Sequence, residues 1–167
     1  MQFEPVQIAE VILDSATNAR AVDPERPISV DIGDHAELAV TGDEARMRQI
    51  VGNLVTNALT HTPPGTPIHL RLLVEDPNVA VVEVSDEGPG LDEQHARRVF
   101  ERFYRVDKAR TRGQAPPSPG GPVAHNGSGL GLAIVAALVA AHRGSVEVDT
   151  APGAGATFRV RLPLAGR

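Results

Sequence analysis

The sequence contains no cysteine and no tryptophan, and aromatic residues make up only 3% of it. Without cysteine, the chain can form neither a disulfide nor a thiolate metal site. No stretch reaches the roughly 18 consecutive apolar residues that a membrane-spanning helix needs, and we expect no leader peptide at its start.

The sequence also lacks an excess of basic residues. It has 16 Lys and Arg against 21 Asp and Glu, a formal net charge of −5, which argues against a nucleic-acid partner because such surfaces are basic. With 167 residues and 41% hydrophobic content, the chain is long enough for one domain with a real core and short for two. We therefore predict a single domain over residues 1–167.

Hydrophobic periodicity predicts the secondary structure. Apolar residues at helical spacing indicate a first helix over residues 6–20, and residues 28–40 read as two short strands. Thr41 and Glu44 form a capping-box pattern that opens a second helix, which runs to about His61.

The rest of the chain predicts strands and one more long helix. A buried helix is predicted over residues 130–141, ended by Gly144. Four stretches bounded by turn residues have the pattern of strands: residues 66–75, 79–86, 145–150 and 156–163. The order of elements predicts an α+β fold, with three helices on one face of a mixed, mostly antiparallel sheet.

Residues 112–127 are rich in proline and glycine and have little to bury. They therefore predict a mobile loop rather than a domain boundary.

The loop ends in Gly127, Gly129 and Gly131, directly before the last helix. A dinucleotide fingerprint needs a strand before such glycines, and no Gly-Lys-Ser/Thr motif occurs. Two interpretations stay open: an anion site at a helix N-terminus and a tight turn that allows close packing.

Two asparagines point to a cation site on the second helix. Asn53 and Asn57 are four residues apart and share one helix face, although asparagine is a poor residue in mid-helix. Amide oxygens suit a hard cation such as Mg²⁺. The alternative is an ordinary solvated polar face.

A carboxylate and two glycines follow the strand at residues 79–86. Asp86 can accept a hydrogen bond from an exocyclic amine, while Gly88 and Gly90 leave room for a flat ring. An ordinary turn between strand and loop would have the same composition.

The segment at residues 99–105 concentrates the aromatic residues. Phe100 and Phe103 are predicted to hold the near end of the mobile loop. Arg102, Arg105 and Arg110 can bring a guanidinium to a phosphate when the loop closes, or they can be surface charges.

Taken in order, these motifs resemble the conserved boxes of one family. They match the N, G1, F, G2 and G3 boxes of the catalytic and ATP-binding domain of bacterial sensor histidine kinases, in the GHKL superfamily: Asn53-Leu-Val-Thr-Asn57-Ala, Asp86-x-Gly88-x-Gly90, Phe100-Glu-Arg-Phe103, Gly127-x-Gly129-Leu-Gly131-Leu and Gly153-x-Gly155-x-Thr157. The resemblance covers essentially the whole chain. It implies the two-layer α/β sandwich called the Bergerat ATP-binding fold.

The resemblance also implies site residues for ATP and Mg²⁺. Asn57 would be the chief Mg²⁺ ligand, with Asn53 beside it, and Arg105 and Arg110 would contact phosphates from an ATP lid at about residues 107–126. The remaining nucleotide contacts would come from His61, Asp86, Gly88, Gly90, Gly127, Gly129, Leu130, Gly131 and Thr157. Two features depart from the family pattern: Thr60 stands where many relatives carry Lys or Arg, and the lid is longer and richer in Pro and Gly.

The family's phosphoacceptor histidine is not in this sequence, since none of its six histidines lies in an H box. The resemblance implies a histidine-bearing dimerisation domain of the same kinase as partner and, through it, a response regulator. It also implies a monomeric fragment of a homodimeric kinase, in the cytoplasmic part of a membrane-bound sensor. The alternatives are an ATPase clamp like that of DNA gyrase and a pseudokinase that only binds partners.

Overall fold

The computed structural model describes residues 1–100 and 131–165. Within them the elements follow in the order β1 (Glu4–Gln7), α1 (Ile8–Val22), β2 (Ile28–Asp31), β3 (Ala39–Gly42), α2 (Glu44–Thr60), β4 (Ile68–Asp76), β5 (Val79–Asp86), α3 (Glu93–Arg98), α4 (Gly131–Ala141), β6 (Ser145–Thr150) and β7 (Ala156–Pro163). The predicted lid lies outside the described residues. None of the helices just given is long and apolar enough to cross a membrane.

The main sheet has five strands in the order β2-β4-β5-β7-β6. Among the described strands of this sheet, β2 and β4 are parallel neighbours and every other neighbouring pair is antiparallel. The predicted mixed, mostly antiparallel sheet is therefore confirmed. A separate antiparallel pair, β1 and β3, stands beside it.

One face of the sheet packs against the helices. Because side chains alternate along a strand, Ala80, Val82 and Val84 of β5 all point into the same core. Helices α1, α2 and α4 contribute buried residues to that one core, among them Ile12, Leu54 and Val135. This gives the predicted two-layer α+β fold. The described residues contain one helix more than the three predicted, the short α3.

The opposite face of the sheet carries paired charges. The Glu83 side chain is 10% exposed and accepts a hydrogen bond from Arg159 Nε at 2.7 Å. Arg159 also contacts Glu147, and Arg161 joins Glu147 to Glu75. The hydrogen bonds from Arg161 hold the pKa of the Glu75 and Glu147 carboxyls below the usual range. Arg159 and Arg161 on this outer face are therefore each paired with two carboxylates.

The second helix begins at Glu44, with Asp43 as its N-cap. Asp43 Oδ1 accepts a hydrogen bond from Arg46 N at 3.0 Å, so the prediction that Thr41 is the cap is wrong. Thr41 is instead part of β3, where it pairs with Pro5 of β1. The helix ends at Thr60, close to the predicted His61.

The start of the chain also differs from the prediction. The first helix begins at Ile8 rather than residue 6, because the preceding four residues, Glu4–Gln7, form strand β1. Val6 is the buried residue of that strand and packs into the core. A single inward side chain gives no alternation, so the sequence pattern did not predict this strand.

The last helix is less buried than predicted, since Val135 and Val139 are its buried residues in the described range. Its end is set by Arg143, which has a left-handed φ of 62°. Gly144 follows, and a Cβ there would lie 2.2 Å from Arg161 O. The glycine therefore permits close approach to β7, while Arg143 makes the turn.

His142 joins the end of α4 to the start of α2. The ring is buried, its Nδ1 lies 2.7 Å from Leu138 O, and its Nε2 lies 3.1 Å from Asp43 N. Since a carbonyl oxygen only accepts and a backbone N–H only donates, Nδ1 carries the hydrogen and Nε2 accepts. This histidine therefore has a structural role in the core.

Candidate functional site

Asp86 ends β5 on the face that packs against the helices. The residue is 9% exposed, and its Oδ1 accepts a hydrogen bond from Gly88 N at 2.9 Å. Burial raises the pKa of the carboxyl, and the N–H groups of Gly88 and Ala156, then the positive charges of His61 and Arg26, oppose that rise. A carboxyl held at a strand end in this way can accept a further hydrogen bond from a ligand amine.

Thr62 lies directly against Gly88. A Cβ on Gly88 would stand 2.7 Å from Thr62 Cγ2 and 3.0 Å from Asp86 Oδ1. There is therefore no room for a side chain at residue 88. We refer to Asp86, Gly88 and Thr62 together as the Asp86 corner.

Two glycines bring the segment after β5 against the turn between β6 and β7. Gly90 and Gly155 both have a φ of +71°, which favours glycine. A Cβ on Gly90 would lie 2.1 Å from Ala151 O, and a Cβ on Gly155 would lie 2.1 Å from Asp86 O. Hydrogen bonds also join the two segments, from Gly153 N to Pro89 O and from Leu91 N to Thr150 Oγ1. We call Gly90 and Gly155 the glycine clasp.

Thr157 lies on the other face of the sheet from Asp86. It pairs with Ser85, and the two hydroxyl oxygens are 2.8 Å apart. Asp86 pairs instead with Ala156, so Ala156 is the residue that shares the face of Asp86. The expected support of the pocket by the Thr157 side chain is therefore corrected: its hydroxyl holds two strands together on the outer face.

The two asparagines of α2 are half-buried, and the first of them contacts the start of α4. Asn53 Nδ2 donates a hydrogen bond to Gly131 O at 3.3 Å. Asn57 lies one turn further along the same side of α2. The structure thus joins Asn53 to the last glycine of the predicted phosphate loop, with Asn57 one helical turn away. A Cβ at Gly131 would meet nothing within 4 Å.

Two further predicted residues, His61 and Phe100, lie within the described part of the chain. His61 follows α2, donates its backbone N–H to Asn57 O at 3.0 Å, and is near enough for its charge to lower the pKa of Asp86. Phe100 packs edge-on against Phe158, with ring centroids 6.0 Å apart, and the loop that it is predicted to hold lies outside the described residues. The remaining predictions lie outside the described residues: Arg102, Phe103, Arg105, Arg110, Gly127, Gly129 and Leu130.

Arg26 is a residue that sequence reasoning missed. It lies between α1 and β2, with a side chain that is only 3% exposed. Its guanidinium donates to Asp23, to the Thr62 hydroxyl and to carbonyl oxygens at residues 59, 63 and 66. No local sequence pattern indicates that Arg26 is buried, because it is a single arginine between a helix and a strand.

Within the part of the chain that the structure describes, no group of three or more acidic or histidine side chains could hold a metal ion. The amide oxygens of Asn53 and Asn57, predicted as cation ligands from the sequence, stay a prediction. Such neutral oxygens suit Mg²⁺ that keeps several waters and shares the phosphates of a nucleotide.

Comparison with known proteins identifies the fold that surrounds this site. The sequence profile for histidine kinase-, DNA gyrase B- and HSP90-like ATPases matches residues 42–166. The chain belongs to that family. Every box from the N box to the G3 box lies within the matched range of this ATPase-family domain.

Individual relatives lead to the same assignment. The domain is 39% identical over 162 residues to the probable sensor histidine kinase TcrY of Mycobacterium tuberculosis, covering 97% of this chain and 31% of TcrY. A solved structure of the mycobacterial sensor histidine kinase MprB has a TM-score of 0.78 at 32% identity, with 98% of both chains covered. Full-length ShkA, solved with AMPPNP, has a TM-score of 0.77 at 28% identity, with 99% of this chain and 32% of ShkA covered.

These matches confirm the predicted family and its α+β ATP-binding fold. They are to sensor histidine kinases, so the ATPase clamp of the gyrase type is not favoured. The domain spans only about a third of the length of the curated relatives that it matches.

Proposed function

We propose that the chain binds Mg-ATP and supplies its γ-phosphoryl group to a histidine on a separate dimerisation domain. The observation that carries this proposal is the Asp86 corner. It combines a largely buried carboxyl with a glycine whose missing side chain lets Thr62 pack directly beside that carboxyl. In a domain of this ATPase family, such a corner suits the amino edge of adenine. The AMPPNP complex of ShkA supports the same choice of nucleotide.

Adenine would be held by Asp86, which accepts a hydrogen bond from the exocyclic amine. Gly88 and Gly90 would border the flat ring, and His61 would lie against it from the end of α2. Guanine carries an oxygen where adenine carries the amine, so a carboxylate there would disfavour guanine nucleotides.

The phosphates would lie between α2 and the start of α4, where Asn53 reaches Gly131. We propose Asn57 as the chief Mg²⁺ ligand, with Asn53 beside it. Bound Mg²⁺ would neutralise phosphate charge. Backbone N–H groups at Gly127, Gly129, Leu130 and Gly131 would bind the triphosphate, and Arg105 and Arg110 would contact it from the lid.

The transfer would break the bond between the γ-phosphorus and the oxygen bridging to the β-phosphate, and would form a phosphorus–nitrogen bond on the acceptor imidazole. ADP leaves with the bonding electrons, and a base on the acceptor's own domain takes the imidazole proton. This chain's part is positioning and charge neutralisation, which dominate phosphoryl transfer. A response regulator would then receive the phosphoryl group.

We propose that this chain is a single domain that is monomeric on its own. We also propose that it belongs to the cytoplasmic side of a homodimeric, membrane-bound sensor kinase.

The nucleotide part of the proposal is tested by titration calorimetry with ATP, ADP and GTP, each with and without Mg²⁺. We expect adenine nucleotides to bind more tightly than GTP, and ATP binding to need Mg²⁺. Equal affinity for ATP and GTP, unaffected by Mg²⁺, would overturn the proposal.

A further inference from the structure

Arg26, in the segment before β2, ties that segment to the end of α2. Its Nη2 donates to Leu59 O at 3.0 Å, and its Nη1 donates to Pro63 O at 2.8 Å and Thr66 O at 3.2 Å. The last carbonyls of a helix have no partner within the helix. The planar guanidinium can serve several carbonyls at once, which a lysine ammonium cannot do in the same geometry.

The same guanidinium fixes the Thr62 side chain. Arg26 Nη1 donates to Thr62 Oγ1 at 2.9 Å, and Thr62 Oγ1 donates in turn to Ala58 O at 2.7 Å. With both bonds made, the hydroxyl cannot rotate freely. The Cγ2 methyl is thereby held toward Gly88, where it comes within 2.7 Å of the position that a Cβ would take.

We propose that Arg26 is a positioning residue for adenine recognition, which acts by holding Thr62 against Gly88 and so fixing the Asp86 corner. Arg26 does not touch the nucleotide in this proposal. The inference rests on the proposed adenine site, and it adds a determinant of base specificity located outside the conserved boxes.

The position and charge of Arg26 agree with this role. The guanidinium is nearly inaccessible to solvent and its Nε pairs with Asp23 at 3.0 Å, so it is held by a second bond besides the one to Thr62. Its positive charge also lowers the pKa of Asp86, opposing the effect of burial. Loss of Arg26 would therefore loosen the corner and favour the protonated form of its carboxyl.

The test compares Arg26→Lys with wild type by calorimetry, using ADP and GDP with and without Mg²⁺. ADP binding should weaken about 10-fold, since displacement of a recognition group by an ångström can cost as much. GDP binding should change little, so the preference for adenine falls. The ratio of ADP affinity with Mg²⁺ to ADP affinity without it should stay at its wild-type value. A general loosening of the domain would instead reduce both this Mg²⁺ ratio and the ratio of ADP to GDP affinity.

Arg48→Lys is the matched control, because Arg48 is more exposed and pairs with Asp14 and Glu44 on the surface. It should leave both ratios unchanged. An Arg26→Lys variant that keeps the wild-type adenine preference overturns the positioning role. A wild type with no adenine preference would instead overturn the proposed function itself, so the two failures are distinguishable.

If Arg26→Lys does not fold, Thr62→Val decides the question. Valine keeps the shape and removes the hydroxyl that Arg26 and Ala58 contact. We expect a reduced adenine preference for Thr62→Val, which keeps the methyl but loses the bonds that hold it, and also for Thr62→Ser, which keeps the hydroxyl but loses the methyl that faces Gly88. An unchanged preference in Thr62→Val would overturn the proposal.

Discussion

The side-chain amide of Asn53 donates a hydrogen bond to the backbone carbonyl of Gly131, at 3.3 Å. This bond ties the middle of α2 to the first residue of α4. It uses a hydrogen of the amide group and leaves the Asn53 oxygen as an acceptor. Asn53 therefore has a structural task in addition to any contact with phosphate or metal.

Replacing Asn53 by alanine should lower the free energy of unfolding. A neutral hydrogen bond contributes about 1 kcal/mol, and the matched control Thr56→Ala, at an exposed position of the same helix, corrects for the gain in helix propensity. Chemical denaturation of both variants measures the difference. Equal stability of the two would show that the bond to Gly131 contributes nothing.

Asn57→Ala should abolish Mg²⁺-dependent ATP binding without unfolding the domain. The side chain is only half-buried, and alanine is a better helix former than asparagine. Calorimetry with and without Mg²⁺ gives the binding, and circular dichroism reports the fold. If the variant unfolds while wild-type binding needs no metal, the polar side of α2 is structural only.

Asp86→Asn should weaken the binding of adenine nucleotides and leave the domain folded. One side-chain oxygen remains to accept from Gly88 N, while the other position becomes a donor facing the adenine amine. An unpaired polar group costs about 1–3 kcal/mol, which is about 5- to 150-fold in affinity. Unchanged ADP affinity would remove Asp86 from the adenine site.

The same variant makes the pH dependence of stability visible. Burial raises the pKa of Asp86 above its usual value, so the folded protein binds this proton more tightly than the unfolded chain does. The resulting stability is present at low pH and is lost as pH rises through the raised pKa. The melting temperature of Asp86→Asn relative to nucleotide-free wild type should therefore increase with pH across that window. A constant difference would contradict the raised pKa.

Gly155→Ala should destabilise the domain more than Gly153→Ala. Both glycines have a left-handed φ, which costs an alanine about 1–2 kcal/mol. At Gly155 the added Cβ would also lie 2.1 Å from Asp86 O, whereas at Gly153 it meets nothing within 4 Å. Thermal unfolding of both variants tests the clasp, and equal losses would show that only the backbone conformation matters.

The isolated chain should not label itself with γ-labelled ATP, but it should phosphorylate a separately supplied dimerisation domain. This transfer should depend on Arg110, if the lid contacts the γ-phosphate as the resemblance implies. Radiolabel transfer with wild type and Arg110→Ala is the measurement. Stable label on any histidine of this chain would contradict the proposed division between the two domains.

The sequence predicted the parts of the fold that periodic patterns determine. Helix α2 has a full apolar side and a polar side, and the paired strands β4 and β5 are mainly apolar runs bounded by turn residues, so their bounds were close to those observed. Strand β1 has four residues with one inward side chain, too few for a pattern. The cap at Thr41 was misplaced because Asp43 is an equally good cap, and the choice depends on where β3 ends.

The site was predicted only as far as local motifs reach. Asp86 and Gly88 lie together because they are two residues apart. Which of Ala156 and Thr157 faces the pocket depends on the register between β5 and β7, which the sequence does not reveal. Arg26 and Thr62 are 36 residues apart in the chain, and only the folded structure brings them into contact.

The glycine clasp also determines when the site can first exist during synthesis. Ser85 and Thr157, which hold the paired strands together beside the clasp, are 72 residues apart in sequence. The Asp86 segment pairs with β4 along one edge, but its other edge has no partner until β7 has left the ribosome and entered the sheet. Pairing over such a separation forms slowly, so nucleotide binding would report completion of the C-terminal hairpin rather than collapse of the helices.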